Sequence, residues 1–543
     1  MNGETLTGRQ ADAGTVSAMN RATLSMGIGT TLSRVTGLLR VFALAYALGF
    51  TSLADSYNLA NTIPNILHDI VLGGILTAVF VPVFIERMET SPATATEDIS
   101  AVLSTSLVVV ALATALFLAF APGIAHVFDH FAAGGTGRSR LDVTITLLRL
   151  FAPQLAAYGT FSIATAYLNS HRRFALPAFA PAVNNLVLIG VLMAFGVAAK
   201  HPTPAWVADH HGLLILLGAG TTVGVVLQAL VLVPSLYRLA PELRWNFAFR
   251  HPAVRRVVRL GLWTLGFVVG SQLTLLVVLA VALHLGTGDV AAYTYAYTFF
   301  QFPFGIVVVS VMSTTIPELS STWFTGRTGS FRRYYTTGLV RILALVLPAA
   351  GGELVIAHQA IALLLGHGAG NFSSSSLTGE ALALLAVGLP GFSVFMYTMA
   401  AFQSMQRMKA VFWIYLLKNG LNLVLALLLS ATLGFRGLIL SISIAYDLTA
   451  LLSVWYFQRS TGGVSSALLR HLWRLCIATA CLAGAAAAGV SISASTSSAG
   501  LLARVCTAVG AGLVAYVATI VATGYLQERR RKRLHAARAA GGG

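Results

Sequence analysis

Charged side chains are scarce in this chain. Asp, Glu, Lys and Arg make up 10% of its 543 residues, whereas 56% are hydrophobic. A soluble chain carries about a quarter charged residues, so an ordinary water-soluble domain is excluded; the mean hydropathy of +0.78 agrees. Cysteine is scarce too. Cys476, Cys481 and Cys506 stand in late apolar segments without the paired spacing of a disulfide framework or a metal site. No GxxxxGK[ST] loop occurs, which excludes direct drive by ATP. No serine–histidine–acid order is visible within the apolar runs, and the outer loops lack conspicuous catalytic acids, so the chain reads as a non-enzyme. The N-terminal MNGETLTGRQADAGTVSAMNR has neither the short apolar core nor the cleavage site of a secretory signal. Two-residue alternation is also missing from runs such as 103–119 and 213–232, which excludes a β-barrel.

What the chain has in abundance is apolar runs long enough to cross a hydrocarbon core of about 30 Å. We place about fourteen spans at 24–50, 59–86, 100–124, 143–167, 175–198, 212–236, 258–284, 290–316, 337–357, 379–401, 410–431, 435–457, 470–490 and 500–525. The expected fold is all-α: a polytopic bundle of two six-helix lobes, 24–236 and 258–457, around a central cavity, plus a C-terminal helix pair at 470–525. A cytoplasmic N-terminal segment (1–23), a cytoplasmic linker (237–257) and a basic, disordered tail (526–543) complete the plan.

The formal net charge of +17 is a topology signal. Alternate loops hold Arg87, then Arg172 and Arg173, then the arginines between 238 and 259. The same side continues with Arg327, Arg332 and Arg333, Arg407 and Lys409, Arg459 and the ERRRKR tail. The positive-inside rule puts that side, and both termini, in the cytoplasm. Anionic lipid headgroups suit these loops. Nucleic acid does not, because the basic tail adjoins a span and lacks interleaved aromatics.

The stretch from Ser33 to Phe84 departs from this apolar pattern. It reads as two spans joined by a turn, yet it carries Arg34, Arg40, Asp55, His68 and Asp69. A charge at the centre of a membrane helix costs about 2.5–3.5 kcal/mol on insertion scales, and such groups persist where they face a watery cavity or a charged cargo. Asn58, Asn61, Asn65, His68 and Asp69 fall within an arc of about 100° on a helical projection. We expect that arc to line a lumen. Arg34 and Arg40 lie roughly 120° apart around the first span, and guanidinium groups match phosphate oxygens bidentately, so the pair points to an anionic cargo. Ser271 and Gln272 in the seventh span, and Tyr293, Tyr297, Thr298 and Gln301 in the eighth, add polar stripes. Lys418 and Asn422 in the eleventh span and Asp447 in the twelfth either pair across helices or couple to an ion.

On these residues the chain resembles the MurJ (MviN) lipid II flippases, within the superfamily of multidrug, oligosaccharidyl-lipid and polysaccharide exporters. The resemblance is carried by SRVTGLLR (33–40), ALGFTSLADSYNLANTIPN (47–65), TAVFVPVF (77–84), YLNSHRRFALPAFAPAVNN (167–185) and FQFPFGIVVVSVMSTTIPELS (300–320). It is specific in the first half and weak after about residue 410. It implies alternating access between two lobes and a cargo of undecaprenyl-pyrophosphate-linked disaccharide-pentapeptide, moved to the outer leaflet for cell-wall synthesis. It further implies that Arg34 and Arg40 hold the pyrophosphate and that Asp55 is the acidic residue near the outer turn. The chain departs from the family at His68-Asp69, where a basic pair is usual, at Gly73 for an acid, and at Thr298 for an arginine. Asn422 matches a position linked to sodium in some members, but Ala426 replaces the acid one turn later.

The expected function is therefore that of a lipid II flippase in a bacterial cytoplasmic membrane. It would need no cofactor and would be energised by an ion or the membrane potential. Lipid II and membrane lipids are its expected partners, with cell-wall synthesis proteins as further ones and a monomer as its working state. The alternatives are an exporter of another lipid-linked oligosaccharide or of drugs on the same fold, and a degenerate transporter serving as a cell-wall scaffold.

Overall fold

The computed structural model describes residues 27–73, 80, 84, 88, 92–132, 137–171, 173–199, 202–239, 245–246, 248, 251–367, 372–462, 467–491 and 497–540. The expected N-terminal segment, most of the second half of the 59–86 span and the part of the 237–257 linker at 240–244, 247 and 249–250 lie outside them. Among the described residues the regular structure is entirely helical. Hydrocarbon imposes this, because each backbone N–H and C=O must be satisfied within its own segment.

Eleven of the described helices are long and apolar enough to cross a membrane. The helices Ser52–His68 and Arg138–Ser170 are not among them: the first has 17 residues, and the second, with 33, is interrupted by polar side chains. One of the eleven, Met408–Thr461, has 54 residues. At about 1.5 Å per residue that exceeds twice the hydrocarbon thickness. It breaks at Gly434, whose φ of 58° and ψ of −136° are non-helical. The Ser441 hydroxyl then donates to the Asn422 amide oxygen at 3.1 Å. Nineteen residues of continuous helix would separate them by nearly 30 Å, so the two halves fold back on each other. They correspond to the expected spans 410–431 and 435–457. The last helix runs Ser498–Ala540. The basic stretch 526–540 is thus helical where a disordered tail was expected; its Arg, Lys, Leu and Ala are good helix formers, with no glycine or proline before residue 541.

The chain divides into two compact units, and the division falls after Ala291, inside the helix Asp289–Pro303. In the first unit Arg138–Ser170 is the central element, packing on Ser52–His68, Pro92–Phe131 and His211–Leu230. Ala175–Ala198 lies against His211–Leu230, and Pro252–Leu285 against Pro92–Phe131 and the π-helical turn Asp69–Gly73. In the second unit Thr328–Leu365, Phe372–Ser404 and Met408–Thr461 pack in succession. Ala467–Ser491 and Ser498–Ala540 pair with each other and dock on Thr328–Leu365. Apolar area drives little association between helices in lipid, so close packing and buried hydrogen bonds hold these contacts. Tyr335, for example, stacks on Phe457 at 3.8 Å between centroids while its hydroxyl meets Thr398 at 2.9 Å.

Candidate functional site

The first helix, Gly27–Leu48, presents the two arginines. Its placement is fixed by Asn185, whose amide donates to the Ser33 carbonyl and the Thr36 hydroxyl, each at 3.1 Å. Gly37 faces the same amide. Arg34 and Arg40 are both half-buried. Among the described residues neither forms an ion pair with a carboxylate, and the buried Nε of Arg40 has no hydrogen-bond partner. The Arg40 charge reaches Tyr57 and Tyr158. A cation held in a span without an ion-paired carboxylate among the described residues is complementary to a visiting anion.

The polar arc of the second helix divides in two. Its N-terminal part is sealed: Asp55 is fully buried and Asn58 is buried, the Asn58 amide donating back to the Ala54 carbonyl at 2.8 Å. Asn61, Asn65, His68 and Asp69 remain partly open, with the Asp69 side chain 48% exposed. Asn65 donates to the Asn61 carbonyl at 2.8 Å and is hydrogen-bonded to Tyr158. Of the arc expected to face a lumen, Asp55 and Asn58 are closed off, and Asn61, Asn65, His68 and Asp69 are partly exposed.

Asp55 needs a correction. Expected among the cargo-binding residues, it is occupied by the protein itself. Its two oxygens accept the backbone N–H groups of Gly288 at 2.6 Å and Ala291 at 3.0 Å, and the Arg140 guanidinium lies 3.9 Å away. The first turn of a helix leaves N–H groups unsatisfied and carries positive dipole, and a buried carboxylate answers both. The turn between the first two helices is locked alongside. Gly288 has φ +90°, and the Phe50 carbonyl occupies the place where its β-carbon would stand. Sequence reasoning missed this role because Asp55 and Gly288 are more than two hundred residues apart, and no local pattern pairs them.

The structure also assembles a relay that the sequence did not reveal. Ser162 Oγ lies 2.8 Å from His68 Nε2, His68 Nδ1 lies 3.2 Å from Asp69 Oδ1, and Gln272 Nε2 donates to Asp69 Oδ2 at 2.8 Å. A serine, a histidine and an acid are thus brought into line, the serine from a different helix than the histidine. Of the expected pair Ser271 and Gln272, the latter joins this relay.

In the second unit Tyr297 stacks with Tyr293 at 5.6 Å and is hydrogen-bonded to Gln301 and Tyr446. Thr298 donates to the Thr294 carbonyl at 2.9 Å. Lys418 is buried with its ammonium 4.8 Å above the Tyr446 ring. Asp447 lies against Gly391, where a β-carbon would collide with the carboxylate. Lys418 and Asp447 form no ion pair, so the two are not bridged across neighbouring helices.

The family model described as lipid II flippase MurJ matches residues 44–507. The chain belongs to the MurJ family. A probable lipid II flippase MurJ of Thermotoga maritima is 27% identical over 428 residues, covering 78% of this chain and 83% of that protein. A lipid II flippase MurJ of Burkholderia cenocepacia is 28% identical over 445 residues, covering 80% and 82%. Among solved structures, a MurJ in an inward closed conformation superposes with a TM-score of 0.75 at 19% identity, covering 91% of this chain and 97% of that one. An inward-facing multidrug resistance MATE family transporter gives 0.64 at 15% identity, covering 80% and 96%. The structural likenesses establish the fold. The MurJ assignment places this chain among multi-pass transporters of the bacterial inner membrane rather than in a catalytic family.

Proposed function

We propose that this protein is a lipid II flippase, moving the undecaprenyl-pyrophosphate-linked peptidoglycan precursor from the inner to the outer leaflet of the cytoplasmic membrane. The observation that carries this reading is the pair Arg34 and Arg40, two guanidinium groups in one span without a carboxylate partner among the described residues. A diphosphate answers both charge and geometry. The half-exposed face Asn61, Asn65, His68 and Asp69 then lines the path of the sugar-peptide headgroup. Asp55 serves as a structural clamp rather than a cargo contact. Both termini lie in the cytoplasm, the protein acts as a monomer, and no nucleotide is consumed.

Coupling in this reading is set by Lys418. Its buried ammonium stands one helical turn before Asn422, which is engaged with Ser441, and it supplies a charge carried by the protein where other carriers bind an ion. Arg40→Ala tests the assignment: it abolishes rescue of a flippase-depleted bacterium while the protein accumulates to wild-type level. Normal growth at that level contradicts it.

A further inference from the structure

The relay Ser162–His68–Asp69–Gln272 is built to hold a proton at His68 in either of two states. An ionised carboxylate only accepts, so the Nδ1 facing Asp69 carries a hydrogen throughout. On the other side of the ring the Ser162 hydroxyl can donate to Nε2 or accept from it. With a neutral ring, Ser162 donates. With a protonated ring, Nε2–H donates to Oγ, and the serine turns its own hydrogen to the carbonyl four residues back, as helical serines commonly do. Only one hydroxyl hydrogen rotates. Imidazole is the side chain whose ordinary charge change falls between about pH 5 and 8.

The surroundings give that proton a consequence. From Arg138–Ser170 the titratable neighbour is Tyr158, 5.8 Å from the His68 ring between centroids. The charges of Arg40 from the first helix and of Asp69 both reach Tyr158. From Pro252–Leu285 the neighbour is the neutral Gln272; that helix's charged and titratable groups lie about 18 Å or more along it. With a neutral ring, the Asp69 charge offsets that of Arg40. With a protonated ring, the local balance gains one positive charge on the side where Asp69 is half exposed.

We infer that His68 is a conditional cation of the cargo site, and that loading a diphosphate-bearing lipid takes up one proton there. This rests on the flippase reading above. The test measures binding of purified lipid II to the full-length protein in detergent between pH 6 and 8, for wild type, His68→Gln and His68→Arg, with thermal unfolding to confirm that each is folded. Both phosphates of a disubstituted diphosphate stay ionised over this range, so the ligand adds no titration of its own. Wild-type affinity should fall with rising pH by up to about tenfold per unit. His68→Gln should bind weakly and His68→Arg tightly, both without that slope. A wild-type slope equal to that of His68→Gln overturns the proton site and leaves the flippase reading standing. Absence of lipid II binding by wild type at every pH brings down both.

Discussion

Arg34 and Arg40 set the chemistry at the residue scale. Their guanidinium groups sit where desolvation is costly, and no carboxylate among the described residues forms an ion pair with them. Substituting Arg40 by Lys keeps the charge but loses the planar fork; we expect transport reduced at least tenfold, with binding of a monophosphate lipid less affected than that of a diphosphate. The comparison of the two lipids in one binding assay checks it. Asp55 makes the opposite prediction. Asp55→Ala orphans two buried N–H donors at about 1–3 kcal/mol each. It should lower the thermal midpoint in detergent by several degrees, with Asp55→Asn in between, since one amide oxygen still accepts. An unchanged midpoint would remove the clamp from the account. Both residues were visible in the sequence as anomalies in apolar runs. Only the structure separates them, because the distinction depends on whether the charge meets another part of the chain.

The second helix shows the same limit at the scale of an element. Its polar arc follows from helical spacing alone. That the arc is sealed at Asp55 and Asn58 and open from Asn61 onward follows from the segment packed over its N-terminal end, which no spacing announces. The Ser162 contact was hidden for the same reason: it joins two helices 94 residues apart in sequence. At the outer turn, Gly288→Ala forces a side chain into a φ of +90° against the Phe50 carbonyl. We expect more than about 1 kcal/mol of destabilisation. Gly352→Ala, which meets nothing within 4 Å in the helix Thr328–Leu365, should be neutral or slightly stabilising. Thermal unfolding of the two variants side by side distinguishes a local conformational demand from general sensitivity to added methyl groups.

For the whole molecule, composition and apolar runs were enough to give the helical membrane class, and the quoted motifs gave the family. The number of crossings was less legible. Eleven described helices meet the length and hydropathy expected of a span, against about fourteen runs read from the sequence. The two crossings of Met408–Thr461 form one helix broken at Gly434, and the second helix, Ser52–His68, has only 17 residues before it passes into the π-helical turn Asp69–Gly73. The alternation of basic loops predicts that reporter fusions at both ends are active in the cytoplasm; a periplasmically active fusion at either end would contradict that topology. The buried Lys418 predicts transport independent of sodium, and a loss of flipping on replacing sodium by potassium at constant membrane potential would contradict its role as a fixed charge.

The most direct measurement is movement of purified lipid II across the bilayer of proteoliposomes holding this protein, compared with Arg40→Ala at equal reconstitution and at two membrane potentials. The account predicts lipid II reaching the opposite leaflet with wild type, and a rate indistinguishable from empty vesicles with Arg40→Ala. Equal rates for the two proteins, or no movement with wild type at either potential, would contradict it.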